Sequence, residues 1–548
     1  MKRFLVLLFL AVACTNERPL PPVTSAVDDT KPQEGGTLVR RLDQDVSTLN
    51  PIMANSSYDR FVDHLLFAPL IEFDEDLEPA PGIATKWEVS DDGKQYTFHL
   101  DPDATFSDGS PVLARDVLFT LKKIVDPQTE APQIAGGFDT LDLAATHVVD
   151  DHTIVVAFRE PLAPQLMHFN DVMVLPEHVY AQGDFRRDFV SRAVGAGPYR
   201  LVRRVPGKEI LLERRPEFWR PKPYIQRVLF EVIVDDATAW NAMKRGDIDE
   251  TIISTDTWLN ESRQPELRRF IDFRRFYMLN YNYIAWNNRD PIVADKRVRR
   301  ALAMCIDLQS IIDNLYHGTA RAMNGPFTPD QWAYNPEVPV IQYNPQEALR
   351  SLNSLGWLDT DHDGILDKGK QPLRIEMLAF SGSGAVNQFA PLFQSELKKI
   401  GVKLDILTLD PSALVQRVLA GNYQCAYLNW TLDPDPDPFP LFDSSQFPPH
   451  GQNIVFYSNP AADKLMDEGR HEFDHSKRKA IYRQLHALLA DDQPYTWTVQ
   501  VSLKWAVNKR LRDVKESRGW GFFGWYPGEF TWWIPRDQRT HEAPPNRR

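Results

Sequence analysis

The feature that most constrains this chain is a short export signal at its N-terminus that ends in a cysteine. Residues 2–3 are basic, residues 4–10 are apolar, and small residues at 11–13 precede Cys14. This order is typical of a signal peptide whose cleavage leaves a cysteine for lipid attachment, although Ala11 stands where leucine is usual. The apolar run is too short to span a bilayer. We therefore expect residues 1–14 to direct export, and the mature protein to fold outside the cytoplasm, periplasmic or at the cell surface. Cys14 would anchor it to a bacterial membrane, with plain secretion as the alternative.

Residues 15–34 are predicted to form a flexible tether between this anchor and a folded body. Four prolines stand among polar residues, a composition that buries too little apolar surface to fold. Only Cys305 and Cys425 remain after Cys14, too few for a disulfide framework in an oxidising compartment. We expect both to be small buried side chains, and a disulfide between them is the alternative.

The composition after the tether is that of a globular protein of mixed class. Hydrophobic residues make up 43% of the chain and aromatic residues 11%, so a large core is possible. The net charge of −13 disfavours nucleic acid as a partner. Alternating apolar residues predict strands at 96–100, 153–158 and 228–234, whereas helical spacing predicts helices at 295–316 and 391–400. The predicted fold class is α/β.

Several short segments occur in one order along almost the whole mature chain, and together they carry a family resemblance. They are Leu49-Asn50-Pro51, Ala84 with Trp87 and Glu88, Phe106 to Gly109, Gly195 to Tyr199, Arg214 to Trp219, Gly246 to Asp249, Asp295 to Asp307, and Leu355 to Trp357. In this order they resemble the extracytoplasmic solute-binding proteins of oligopeptide and dipeptide ABC transporters, the family 5 type.

The resemblance implies a two-lobed clamp of the periplasmic-binding-protein type II class, with an extra domain. Domain I would be a discontinuous base formed by residues 35–55, 188–275 and 502–540. Domain II, the extra domain, would cover residues 56–187, and domain III, the second lobe, would cover residues 276–501. Ligand would lie between the lobes, and hinge closure would bury it.

The resemblance also implies the function of a substrate-binding component of an ABC importer. Its partners would be a peptide ligand, the permease subunits and, through the lipid anchor, a membrane. We expect a monomer with no cofactor, no metal and no catalytic residue. Proteins of the same fold carry nickel complexes, opines or oligosaccharides, so a non-peptide solute is the alternative.

The ligand site is expected where an apolar strand ends in an acidic loop. Trp430 and Asp433 match the W-x-x-D motif of the family, whose aspartate pairs with the α-amino group of a bound peptide. Asn429 and Thr431 flank Trp430 on the strand that would bond to the peptide backbone. From the other lobe, Asn55 and Ser56 lie where the family contacts its ligand. The predicted ligand-binding residues are therefore Asp433, Trp430, Asn429, Thr431, Asn55 and Ser56.

Two motifs favour other chemistry. The segment His471-Glu472-Phe473-Asp474-His475 matches the zinc-protease pattern H-E-x-x-H, which makes a secreted zinc metallohydrolase the alternative of another class. That pattern works only on one helix, and Asp474 is predicted to cap a new helix. Asp359, Asp361, Asp363, Gly364 and Asp367 reproduce the spacing of a calcium loop, but Lys370 stands where a bidentate glutamate is expected. Calcium binding and a simple turn both remain open here.

Overall fold

The computed structural model describes residues 31–54, 56–381, 384–449, 451–515 and 528–539. These residues form short strands and helices in alternation, as expected for an α/β protein. The strands are β1 Thr37–Leu42, β2 Ile71–Phe73, β3 Pro79–Pro81, β4 Ala84–Val89, β5 Gln95–Leu100, β6 His147–Asp150, β7 Thr153–Ala157, β8 Tyr199–Val205, β9 Glu209–Arg214, β10 Arg227–Val232, β11 Glu250–Ile252, β12 Ile271–Tyr277, β13 Asn280–Trp286, β14 Ala320–Ala322, β15 Asp367–Lys368, β16 Gln371–Pro372, β17 Arg374–Phe380, β18 Lys403–Leu409, β19 Cys425–Thr431, β20 Tyr495–Trp497 and β21 Val499–Asn508.

The helices lie between these strands and vary from single turns to five turns in length. They are α1 Ser57–Leu66, α2 Ala114–Val125, α3 Pro132–Ala135, α4 Gln165–His168, α5 Glu177–Tyr180, α6 Asp236–Arg245, α7 Thr255–Glu261, α8 Pro265–Arg268, α9 Lys296–Ala303, α10 Leu308–Ser310, α11 Pro345–Ser354, α12 Gly384–Lys398, α13 Pro411–Leu419, α14 Phe439–Phe442, α15 Pro460–His471 and α16 His475–Asp492. Among the described residues, no helix is both long and apolar enough to span a membrane.

The helix predicted over 295–316 is interrupted in the structure. The helix α9 ends at Ala303, and the Asp307 side chain accepts a hydrogen bond from the Ser310 backbone N–H at 3.0 Å, which caps α10. A π-helical turn follows over Ile311–Leu315. The prediction of one long helix was wrong because an aspartate at a helix start satisfies free N–H groups and so favours a new helix.

The largest sheet is a base built from distant parts of the chain. Its strand order is β12-β21-β11-β1-β10-β9-β8, with β14 paired to β21. The strand β1 runs parallel to β10 over its full length and places Arg40 opposite Glu250 of β11. Arg40 is buried, contacts the carboxylates of Glu250 and Glu529, and so joins three parts of the chain.

A smaller four-stranded sheet, in the order β4-β5-β7-β6, stands beside the base. Its core is aromatic: Phe98, Phe158 and Phe169 pack edge to face, with centroid distances of 4.6 Å and 6.0 Å from Phe169. Such aromatic pairs contribute about 0.5–1.5 kcal/mol each beyond their buried area. The helix α2 covers this sheet through β6 and β7. We call the part of the chain that carries this sheet, with the segment 161–171 after it, the small unit.

A five-stranded sheet, in the order β18-β17-β19-β13-β20, forms the centre of the second lobe. Alternate residues of β13 enter cores on opposite faces of the sheet, as the period of a strand requires. Ile284 and Trp286 pack with α9, α11 and α12, whereas Tyr281 and Tyr283 pack with α13, α15 and α16. Both faces are therefore covered.

The chain passes between the base sheet and the second lobe twice. The first passage joins β12 to β13 through Met278 and Leu279, and the second joins β20 to β21. The two passages are tied together, because the Gln500 Nε2 donates to the Met278 carbonyl oxygen at 2.6 Å. Two adjacent connections of this kind form a hinge between two lobes.

Candidate functional site

The strand β19 offers a free backbone edge at the face of the second lobe. On one side it pairs with β13 over its full length, from Cys425 opposite Trp286 to Thr431 opposite Asn280. On the other side β17 pairs with it only at Cys425 and Ala426. Among the described residues, positions 427–431 thus have a strand partner on one edge only. An unpaired edge presents backbone N–H and C=O groups to any extended chain that lies beside it.

The acidic loop that follows β19 carries aspartates at three alternate positions. Asp435 pairs with Arg478 at 2.7 Å, and Asp437 pairs with Arg470 at 3.2 Å. Asp433 is different: within the described chain, its carboxylate has no hydrogen bond or ion pair, although its backbone oxygen accepts from the Gln331 Nε2 at 3.0 Å. Of the three carboxylates in this loop, only that of Asp433 has no side-chain partner among the described residues.

The Asp433 carboxylate faces charged groups that come from the opposite lobe. Its side chain is reached by water, but protein atoms surround it and remove part of its hydration shell. This loss of hydration raises the pKa of Asp433 to about 6, and Asp171 and Asp437 act in the same direction, whereas His168 and Arg60 oppose it. Arg60 and Asp171 form their own ion pair at 2.9 Å. A cation placed beside Asp433 would supply the partner that this carboxylate lacks.

Two cavities adjoin the acidic loop. The smaller, of ≈ 90 Å³, lies in the second lobe and is lined by Trp430, Thr431, Asp433 and Phe442 among others. The larger, of ≈ 350 Å³, is lined from both lobes: the small unit contributes Met167, the hinge contributes Leu279, and the second lobe contributes Trp332 and Asp435. A ligand at Asp433 would therefore have space on both sides of the loop.

The structure brings Trp430, Thr431 and Asp433 together and gives Asn429 an internal partner. The Trp430 indole Nε1 donates to the Tyr495 hydroxyl at 3.2 Å, which fixes the ring as a wall of the smaller cavity. The Asn429 Nδ2 donates to the Asn282 Oδ1 at 2.8 Å and to the Tyr281 carbonyl oxygen. The Asn429 amide nitrogen is thus bonded within the sheet.

On the other lobe, Ser56 is the N-cap of α1. Its hydroxyl accepts from the Asp59 backbone N–H at 3.1 Å, and its own backbone N–H donates to the Asp59 Oδ2 at 3.2 Å. This reciprocal pair is a capping box, so the Ser56 side chain stabilises the start of α1, and its contact with a ligand stays a prediction. Asn55 and Cys14 lie outside the described residues.

Sequence reasoning missed the residues that surround Asp433. Gln331, Arg470 and Arg478 hold the acidic loop. The sequence indicated only that three aspartates within six residues would need positively charged partners, without showing which residues these are. Arg60 and His168 lie more than 260 residues away in the chain, and no local pattern connects them with Asp433.

The H-E-x-x-H segment does not place its histidines on one helix. His471 is the last residue of α15, and its Nδ1 lies 2.8 Å from the Asp467 carbonyl oxygen. His475 is the first residue of α16, capped by Asp474, and its ring packs against Trp332 at 4.8 Å. The predicted helix break is confirmed, and the two imidazoles lack the one-turn spacing that a zinc site of this type needs.

The aspartate-rich turn at 359–367 gathers three carboxylates. Oxygens of Asp359, Asp361 and Asp363 lie within 4.8 Å of one another, and within the described chain they are the only such group of three. All three are near the surface, and Lys370 remains at the twelfth position of the loop. The geometry fits oxygen ligands for a hard cation, without the bidentate glutamate that strengthens calcium loops.

Cys305 and Cys425 are both buried and not disulfide-bonded. Burial raises the pKa of the Cys305 thiol to about 12 and that of the Cys425 thiol well above its ordinary value. Both thiols are therefore uncharged, unreactive members of the core of the second lobe.

Comparison with known proteins gives consistent results over most of the chain. The model of the bacterial extracellular solute-binding proteins, family 5 Middle, matches residues 78–453. The oligopeptide-binding protein AppA of Bacillus subtilis is 26% identical over 498 residues, which cover 88% of this chain and 90% of that protein.

Two solved structures show the same fold. AppA of Bacillus subtilis in complex with a nonapeptide superimposes with a TM-score of 0.79 at 24% identity, over 92% of this chain and all of that chain. NikZ of Campylobacter jejuni in complex with Ni(L-His) superimposes with a TM-score of 0.78 at 24% identity, over 90% of this chain and 99% of that chain. Both of these structures have a two-lobed architecture of mixed sheets and helices.

Proposed function

The chain belongs to the bacterial extracellular solute-binding proteins of family 5, and on this basis we propose that it captures peptides between its two lobes outside the cytoplasm. It would deliver them to the permease subunits of an ABC importer, as a monomer and without a catalytic step. The division into domain I, domain II and domain III at the boundaries given above is part of this proposal.

The observation that carries the proposal is that a free strand edge lies next to a single carboxylate with no side-chain partner among the described residues. A peptide added to the edge of β19 would form backbone hydrogen bonds that do not depend on its sequence. Its α-amino group would then reach Asp433, and a charge-assisted hydrogen bond there would fix the register of the chain. Trp430 and Thr431 would line the pocket around the first residue.

A non-peptide solute is the second candidate, because NikZ has the same fold and carries a nickel complex of histidine. The two candidates differ in what Asp433 would do. A peptide needs it as the acceptor for its α-ammonium group, whereas a solute without a free ammonium group would form no such charge-assisted hydrogen bond.

The experiment combines a change in the protein with a change in the ligand. Asp433→Asn keeps the shape of the side chain and removes its charge, and we expect a loss of about 2–5 kcal/mol in binding, some 30-fold or more. N-acetylation of the peptide should cost the wild-type protein a similar amount. The variant should be almost insensitive to acetylation, because the pair has already been broken.

Calorimetry on the four combinations decides the result. If the losses in binding free energy from Asp433→Asn and from N-acetylation simply add, Asp433 and the α-amino group are not in contact. Glu468→Gln, which removes a carboxylate on the exposed face of α15, is the matched control and should leave the affinity unchanged.

A further inference from the structure

The turn between α15 and α16 reaches across to the small unit. The Arg470 carbonyl oxygen accepts a hydrogen bond from the Ala163 backbone N–H at 2.7 Å. Phe473, at the tip of the turn, lies beside Gly93: a Cβ built on Gly93 would lie 3.1 Å from the Phe473 ring. The second lobe thus meets the small unit at two neighbouring points, through the Arg470 carbonyl oxygen and through the Phe473 ring.

The Phe473 ring is unusually exposed for a large apolar side chain. It is 52% exposed even with the lobes in contact, and it belongs to a turn with no core of its own. Separation of the lobes would remove the ring from its place beside Gly93 and leave it in water. Its apolar contact therefore contributes only when the lobes are closed.

The same segment also holds the acidic loop. The Arg470 Nε lies 3.2 Å from the Asp437 Oδ2, and its guanidinium stacks over the Phe439 ring at 4.1 Å. Asp437 is four residues beyond Asp433 in a loop whose prolines restrict the backbone. Arg470 thus contacts the ligand-binding loop through its side chain and the opposite lobe through its backbone.

We propose that Arg470 and Phe473 form a closure latch that keeps the ligand bound by slowing the opening of the lobes. Arg470 is a positioning residue, since it acts on the ligand through Asp437 and Asp433, and Phe473 supplies the interlobe contact. This inference rests on the proposed capture of ligand between the lobes, and it gives the segment His471-Glu472-Phe473-Asp474-His475 a conformational role.

A latch has a kinetic signature. Ligand enters while the lobes are apart, before the latch contacts exist, so its association rate does not depend on them. Ligand leaves only after the lobes reopen, so loss of the latch raises the dissociation rate.

The test uses the full chain and a pool of synthetic peptides of about three to nine residues with free amino termini, from which bound peptides are identified. For a bound peptide, we expect Phe473→Ala to raise the dissociation rate by about tenfold and to change the association rate by less than about twofold. Leu392→Ala, which truncates a side chain of similar exposure (49%) on α12 of the same lobe, is the matched control and should match the wild type.

Two further variants separate positioning from a general loss of structure. Arg470→Gln should raise the dissociation rate and Arg470→Lys should restore it, because lysine keeps the positive charge beside Asp437 and glutamine does not. Both variants keep the backbone carbonyl that accepts from Ala163, so the comparison isolates the side chain.

The outcomes are distinct. If the wild-type protein binds peptide and the peptide leaves the Phe473→Ala variant at the wild-type rate, the proposed latch is wrong and the proposed function stands. If the wild-type protein retains no peptide from the pool, the proposed function fails and the latch fails with it. Equal slowing of association by Phe473→Ala and Leu392→Ala would identify a general effect on folding and would overturn the latch.

Discussion

At the scale of single residues, the site depends on which of three neighbouring aspartates is left without a partner. Arg478 and Arg470 pair with Asp435 and Asp437, and these arginines sit on helices that begin or end at the turn 472–474. The loop is thereby held in place, and Asp433 alone of the three has no side-chain hydrogen bond or ion pair among the described residues. One carboxylate of this kind binds one ammonium group, whereas three free carboxylates would attract cations without selecting a position.

The raised pKa of Asp433 predicts that peptide affinity depends on pH. Loss of hydration favours the neutral carboxyl, so acidification through about pH 6 protonates Asp433 and removes the partner of the α-amino group. Affinity should be highest at about pH 7 and should fall as the pH drops, by up to about tenfold per pH unit below the pKa. It should also decline above about pH 8, where the free α-amino group of the peptide loses its proton. Calorimetry between about pH 5 and 8 measures this.

Two variants assign the titration to its group. Asp433→Asn should bind weakly with no such pH dependence. The second variant changes His168, which faces the same carboxylate together with Arg60, Asp171 and Asp437, and His168→Gln should keep the dependence. A flat profile in the wild-type protein would contradict the assignment of Asp433 as the amine partner.

At the scale of elements, the pair α15 and α16 supports the site because the two helices approach closely at one glycine. Gly469 lies in α15 against Tyr482 of α16, and a Cβ at this position would lie 1.9 Å from the Tyr482 ring. Tyr482 is fully buried and stacks on Trp332 at 5.7 Å, so it has no free space to move. The Gly469 carbonyl oxygen also accepts from the Arg478 Nε at 3.0 Å.

We expect Gly469→Ala to lower the free energy of unfolding by about 1–3 kcal/mol, because overpacking outweighs the better helix propensity of alanine. Denaturant titration measures the change. Gly136→Ala, at a glycine where an added Cβ would meet no atom within 4 Å, is the control and should be nearly neutral. Equal stability of the Gly469→Ala protein and the wild type would show that the two helices are not closely packed.

At the scale of the whole molecule, we predict that Cys14 carries a lipid that anchors the protein to a membrane. Removal of lipid attachment should release the protein, so Cys14→Ser is expected to move it from the membrane fraction to the soluble fraction. Fractionation and mass spectrometry of the mature N-terminus check this, with Cys305→Ser as a control that leaves the signal unchanged. Membrane association that persists in Cys14→Ser would contradict a lipid anchor.

The fold was largely accessible from the sequence, because strand alternation and the ordered family segments are local properties. Strands predicted at 96–100, 153–158 and 228–234 correspond to β5, β7 and β10. The helix break before His475 was also predicted correctly, since an aspartate cap is readable from its neighbours. The prediction of one long helix over 295–316 was wrong, because helical periodicity continues through Asp307 while the Asp307 side chain caps a new helix there.

The α/β class and the acidic loop could be predicted from the sequence, because strand alternation and a run of aspartates and prolines are local features. Asp433 became the candidate through the W-x-x-D motif of the family. The packing of the chain was needed to show that Asp433 is the one of three aspartates with no side-chain partner among the described residues, that Arg60 and His168 face it, and that Phe473 lies beside Gly93. These relations join residues far apart in the chain. They follow from packing and from the removal of water, which act on distances in space and leave no periodic signal along the sequence.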